Sequence, residues 1–266
     1  MSTLELEHIK HTSSSSNNLS VHSDGSLTAG NFQNLNVLGN LGIGTTGPSS
    51  KLHIQETASA GTGILLTNNN NVAGTYSDLK WQFSSADSSY GSGIRFKQVD
   101  TSHGGQMEFY TDSATGTYTK QMQITENGYV TKPNQPAFRV GKTSSQTSSG
   151  GTFIDPITFQ QTPLNIGNHY STSTHKFTAP IAGMYFFSWS VMVNKNGANY
   201  TGVYAHVNGS YLDYSQNFQY NAPSWYAHDN AIIILLAAND TFHITGRHDS
   251  NMTIDNSGYF AGYLLG

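Results

Sequence analysis

The sequence predicts an all-β protein, and three observations carry that expectation. Apolar residues recur at alternate positions through most of the chain. Gly-, Asn- and Ser-rich turn signals cut these runs into strand-length pieces. No stretch shows the three-to-four-residue apolar spacing of an amphipathic helix. Composition narrows the class further. Only 11% of the 266 residues are charged, well under the usual quarter, and the net charge is −4. Nucleic acid is not an expected partner, because no basic stripe faces phosphates. The chain has no cysteine, which removes disulfide frameworks, zinc–thiolate sites and thiol nucleophiles. Ser, Thr, Asn and Gly make up for the missing charge, and no apolar run is long enough to suggest membrane insertion.

Residues 1–50 hold a single aromatic, Phe32, and isolated apolar residues in a Ser/Asn/Gly background. Such a segment buries too little apolar surface to fold as an independent monomer, so it is expected to order on a partner or in an oligomer. It is read as an attachment segment, with Leu4, Leu6, Ile9, Leu19 and Val21 as the candidate anchoring side chains. Residues 1–20 place acids and a Ser run where a secretory signal carries its apolar core, so release by lysis is expected in place of export.

Residues 51–135 read as a β-rich shaft or intermediate domain. In DLKWQF, Leu79, Trp81 and Phe83 share one face against Lys80 and Gln82. Ile94 and Phe96, Met107 and Phe109, and Met122 and Ile124 repeat the pattern, and Glu108 falls on the wet side. The expectation is an antiparallel sheet with the apolar face buried and its core completed by oligomerisation.

Residues 136–266 carry 21 of the 31 aromatics, with only six acids and five bases. MYFFSWSVMV puts Tyr185, Phe187, Trp189, Val191 and Val193 on one face, with Trp189 expected in the core. VYAHVNGSYL and TFHITG alternate, and AIIILLAA (231–238) is an unbroken apolar run expected to be buried on both faces. Eight or more short strands at this spacing predict a sandwich.

Several motifs point to chemistry that their surroundings do not support. Gly42-Ile-Gly44-Thr-Thr-Gly47 matches a dinucleotide fingerprint, but Pro48 and strand-like KLHI follow where a helix must begin. The densest His/Asp cluster in sequence is Asp240, His243, His248 and Asp249, which only folding could bring together. Neither a catalytic residue nor a metal ligand is assigned, and no cofactor is expected; a structural calcium ion held by loop oxygens stays open. Asp78, Asp87, Asp100, Glu108 and Asp112 form the only dense acid group, which is thin support for a glycosidase, and there is no nucleophile elbow, so the chain is not expected to be an enzyme. Sequons at Asn18, Asn199, Asn208, Asn239 and Asn251 are what an Asn/Ser/Thr-rich chain produces by chance.

Two resemblances add to this reading. PAFRV (136–140), ITF (157–159), Asn165, HY (169–170) and KFTAPIAGMYFFSWSV (176–191) form one series, with Phe177, Pro180, Gly183, Tyr185 and Phe187 at its signature positions. LLAANDTF (235–242) and the closing YFAGYLLG (259–266) complete it. Over residues 136–266 this series resembles the complement C1q head, a jelly roll shared with tumour necrosis factor. Thr174-His175 departs from it, because a Gly ordinarily precedes the F-x-x-P block. The resemblance implies a homotrimer. The second string, LGIGTTGPSSKLHIQ (41–55), resembles a motif of bacteriophage tail fibres and structural proteins.

Together they imply an elongated trimeric fibre in the virion of a tailed bacteriophage, on its tail or capsid surface. It would attach to other virion proteins through 1–50 and present 136–266 to a host-surface glycan or protein. The alternatives are a capsid-decorating head fibre or a secreted C1q-type lectin; a glycan depolymerase is disfavoured by the acid inventory. The densest polar–aromatic stretch, YLDYSQNFQYNAPSWY (211–226), supplies the candidate receptor contacts Tyr214, Tyr220, Trp225 and Tyr226.

Overall fold

In the computed structural model the described residues are 19–21, 27–29, 39–43, 45–55, 64–68, 70–82, 91–102, 104–112, 116–220 and 224–266. Leu4, Leu6, Ile9 and Phe83 lie outside them. Among the described residues every regular element is a strand except one 3-10 turn, Asp213–Ser215. Among these residues no helix is long and apolar enough to cross a membrane. The chain divides into two units, Met1–Thr67 and Asn68–Gly266.

In the first unit, β1 (Leu19–Val21) and β2 (Leu27–Ala29) form an antiparallel pair. The backbone of Leu19 and Val21 is therefore placed in a strand. β3 (Leu41–Ile43) and β4 (Leu52–Ile54) pair in parallel, Leu41 beside Leu52 and Ile43 beside Ile54. Only residues 44–51 connect them, fewer than the dozen or more that a parallel crossover ordinarily takes. The Leu41 N–H to Lys51 carbonyl and Gln55 N–H to Ile43 carbonyl bonds, both 2.8 Å, close the clasp. Gly42 is required here, because a Cβ would sit 2.6 Å from the Thr45 carbonyl oxygen. The Gly-rich string thus begins within β3 and leads into β4, and among the described residues no helix follows it, as a dinucleotide site would need.

The second unit opens with a five-stranded antiparallel meander: β5 (Tyr76–Trp81), β6 (Ser92–Gln98), β7 (Gly105–Asp112), β8 (Tyr118–Ile124) and β9 (Val130–Thr131). Leu79, Ile94, Phe109 and Met122 align across four strands on one face, as alternation predicts. The expected burial fails at several positions, however. Leu79, Trp81, Phe96 and Val130 are exposed, whereas Glu108 is only 2% exposed. Asp78, Arg95 and Glu108 line up on the opposite face, where Arg95 grips Asp78 through two bonds of 2.8 and 3.0 Å. Glu108 accepts from Gln106, Tyr110 and Lys120 at 2.7, 2.8 and 3.2 Å. Long side chains fold over one another on this face and cover Glu108, while among the described residues no second layer covers the apolar face.

The remaining strands form a two-sheet sandwich. They are β10 (Ala137–Gly141), β11 (Gln146–Ser148), β12 (Gln161–Ile166), β13 (Tyr170–Ser171), β14 (Lys176–Thr178), β15 (Gly183–Asn194), β16 (Tyr200–Val207), β17 (Ser210–Tyr211), β18 (Asn217–Tyr220), β19 (Trp225–Leu236), β20 (Thr241–His248) and β21 (Met252–Leu264). The first sheet runs β12-β10-β21-β15-β19, with β11 on β21; the second runs β13-β14-β20-β16-β17, with β18 on β16. Between them lies an aromatic core in which Phe187 stacks on Phe242 at 3.8 Å and Phe138 meets Phe177 and Phe260. Trp189 is buried there, as expected from its strand face.

The run 231–238 departs from expectation. Alternation along β19, in a sheet with the core on one side only, sends Ile232 and Leu236 into the core while Ile233 and Leu235 face outward. Leu235 is 74% exposed. A continuous apolar run signals a strand with two apolar faces; in the single chain only one of them is covered.

Candidate functional site

The two sheets present outer faces of opposite chemistry. On the first sheet, Met184 lies beside Leu235, and Phe186 lies between Ile233 and Tyr263. Met184, Ile233, Leu235 and Tyr263 are all exposed, so this is one contiguous apolar surface of the kind that marks an association site.

The outer face of the second sheet is aromatic and polar. Val203 and Ala205 of β16, and Phe242 and Ile244 of β20, point into the core, so Tyr204, His206, His243 and Thr245 point away from it. Tyr220 stands over Tyr200 with ring centres 5.7 Å apart. Tyr200 meets Phe218 edge-on at 5.7 Å. The Arg247 guanidinium lies between Phe218 and Phe153, 5.8 and 5.7 Å from their centres. Flat rings flanked by one cation and many hydroxyls can stack on sugar faces and bond their hydroxyls.

Beside these rings lies a lateral row of three titratable groups. His206 and His243 are direct register partners on adjacent strands, with ring centres 4.9 Å apart. Across the other edge of β20, Ile154 bridges Gly246, which brings Asp155 alongside. His243 Nε2 donates to Asp155 Oδ1 at 2.7 Å, and Thr245 Oγ1 donates to the same oxygen at 3.0 Å. Burial raises the Asp155 carboxyl, but the bonds from His243 and Thr245 outweigh it and hold the group below its ordinary value. Burial also lowers both histidines; the Asp155 charge partly offsets this at each, and the Gly209 carbonyl adds to the offset at His206. Both ring nitrogens of His206 and Nδ1 of His243 are buried with no partner in hydrogen-bond geometry.

The candidate receptor residues are not one patch in the same sense. Tyr214 sits exposed on the 3-10 turn, Tyr220 is 68% exposed on β18, and Trp225 begins β19 on its outer side. Tyr226 turns inward, and its hydroxyl bonds Thr201. The cluster Asp240, His243, His248 and Asp249 does not assemble. Asp240 takes the Asn208 amide at 2.7 Å and Asp249 takes Asn199, whereas His243 joins His206 and Asp155. Strand parity puts His206 and His243 on one face. Their adjacency depends on a long-range register, and Asp155 on a loop bridge; neither has a local signal.

The strand order and the aromatic core define a two-sheet antiparallel jelly roll. Residues 137–265 match the family model of the C1q domain. Complement C1q tumor necrosis factor-related protein 3 from Homo sapiens is 27% identical over 109 residues, which cover 41% of this chain and 44% of that protein. The same protein from Mus musculus matches equally, so the chain spans under half the length of these relatives. Among solved structures, the globular domain of zebrafish complement 1qA is similar at 17% identity and a TM-score of 0.36, covering 50% of this chain and 98% of that one. Murine APRIL is similar at 11% and 0.39, covering 49% and 99%.

Proposed function

We propose that this chain is a non-enzymatic recognition protein of the C1q-type lectin class. Three copies associate through the apolar outer face of the first sheet, and the aromatic face of the second meets a glycan-bearing surface. The carrying observation is the contrast between the two outer faces of one sandwich. One exposes Met184, Ile233, Leu235 and Tyr263, which water disfavours; the other exposes Tyr220 and Arg247 among hydroxyl- and amide-bearing side chains. The C1q match supports a binding module over a catalyst.

The test is mass in solution, then binding. The full chain is expected near three times 28.8 kDa by light scattering, and the double variant Ile233→Asp/Leu235→Asp near one, with its β circular dichroism retained. A monomeric parent chain overturns the association half of the reading. On a glycan array, Tyr220→Ala should lose most of the signal of the parent trimer; an unchanged array overturns the recognition half.

The clasp at 41–55 favours a second reading, in which the same head sits on a phage particle. Leu41–Ile43 and Leu52–Ile54 fold as a defined parallel pair with a short connection, as a fixed structural motif requires. Residues 1–50, with Leu19 and Val21 in a strand, would then bind other virion proteins. Antibody labelling of intact particles against residues 136–266 tests this; absence of label removes the virion reading and leaves the lectin one.

A further inference from the structure

Asp155, His206 and His243 sit side by side on three neighbouring chain segments, on the same face of the second sheet. One ligand atom from each lies within 4.8 Å of the other two. A tetrahedral zinc ion with bonds of about 2.0–2.2 Å holds its ligand atoms roughly 3.3 Å apart, so the cluster needs only a small rearrangement to close on one. Two further observations separate it from an ordinary surface grouping. His206 is 8% and His243 1% exposed, yet Nδ1 of His243 has no hydrogen-bond partner and His206 has only the Gly209 carbonyl nearby, outside hydrogen-bond geometry. A buried polar atom without a partner carries an unpaid desolvation cost. The carboxylate is the one member open to water, at 44% side-chain exposure, so an ion has an entry path and a solvent-facing position.

We infer that this row is a divalent transition-metal site, filled by zinc with one nitrogen from each of His206 and His243, one oxygen of Asp155 and a water. Two imidazoles and a carboxylate suit a borderline-soft ion better than calcium, which takes six to eight oxygens. Thr245 Oγ1, already on Asp155 Oδ1, orients the carboxylate from outside the ion's shell. The ion ties the loop carrying Asp155 to β20 and β16, and its water occupies an exchangeable position beside the aromatic face.

The test uses the full chain, stripped with a chelator and titrated with ZnCl2 by calorimetry, with CoCl2 as the optical probe. The expected result is one ion per chain, strong visible absorption of four-coordinate cobalt, and a higher melting temperature with zinc. Asp155→Asn, on the exposed member, should weaken binding about tenfold or more and abolish the zinc-dependent rise in melting temperature. His206→Gln should do the same, and His53→Gln should leave both unchanged. No stoichiometric zinc or cobalt binding by the folded parent overturns the assignment. So does parent-like binding in Asp155→Asn, a variant whose folding is checked by its melting temperature without metal. Neither outcome depends on whether the chain is a trimer or binds glycans.

Discussion

The sandwich and the five-stranded meander share one sequence signature and differ in what covers them. Both alternate apolar with polar residues along antiparallel strands. In the sandwich a second sheet meets the apolar face, and Tyr185, Phe187, Val191 and Val193 of β15 are fully buried. In the meander no second layer exists among the described residues, and Phe96 is 44% exposed while Glu108 across the sheet is shielded. Alternation therefore reports which residues share a face. Burial depends on what packs against that face, which no local pattern contains.

The sharpest way to break this comparison is to truncate one large ring in each region. Phe187→Ala removes a ring stacked at 3.8 Å on Phe242, and should cost about 3–5 kcal/mol, a large share of a domain's stability. Phe96→Ala, on the open face of the meander, should cost under about 1 kcal/mol. Hydrogen exchange on each segment reads both. If Phe96→Ala matches Phe187→Ala, then a second copy or another segment covers that face in solution, and the contrast holds only for the single chain.

Acid separates the regions next. Burial lowers the His228 ring to about 4, with its Nε2 on Thr201 Oγ1 at 3.1 Å. Its folded value lies below that of the unfolded chain, so the unfolded state takes up the proton first. Stability present above about pH 6.5 is then lost as pH falls towards 4, by roughly 2–4 kcal/mol from this residue. Asp78 and Glu108 in the meander are also lowered: burial raises each, but its bonded partners outweigh that. Their stabilisation is present above the ordinary carboxylate range and is lost only below it. Melting between pH 7 and 4 should therefore weaken the sandwich before the meander, and His228→Gln should flatten the sandwich's decline. Simultaneous loss of both regions would show that they unfold as one unit.

Much of the sandwich was legible because its signals are local. Phe177, Pro180, Gly183, Tyr185 and Phe187 mark the β14–β15 turn and one inward face, and Trp189 lies in the core where its parity puts it. What stayed hidden depends on distant pairing. Ile233 and Leu235 face outward because the first sheet packs on the second through one side only, a fact of the layering and not of the local run. His206 meets His243 through the β16–β20 register, and Asp155 arrives from a loop. Tyr226 carries the same aromatic signal as Tyr220, yet faces inward because its position in β19 has the parity of His228 and Ile232.

A variant of modest expected effect tests whether the covered charges of the meander stabilise it. Glu108 accepts from Gln106, Tyr110 and Lys120, and bonds to charged groups contribute about 1.5–3 kcal/mol each when intact. Glu108→Gln keeps the shape and one carbonyl oxygen, but it removes the charge beside Lys120 and turns one acceptor into a donor facing the Tyr110 hydroxyl. Tyr110 can rotate its proton away, and the Lys120 side chain, a third exposed, can recover hydration. The net loss should therefore be about 1 kcal/mol, well below that of Phe187→Ala. Denaturant midpoints at pH 7 and pH 3 check it. The gap between variant and parent should shrink at pH 3, below the ordinary carboxylate range, where the unfolded parent takes up the proton that the folded Glu108 resists, and a gap that stays constant would mean that packing, not charge, sets the effect.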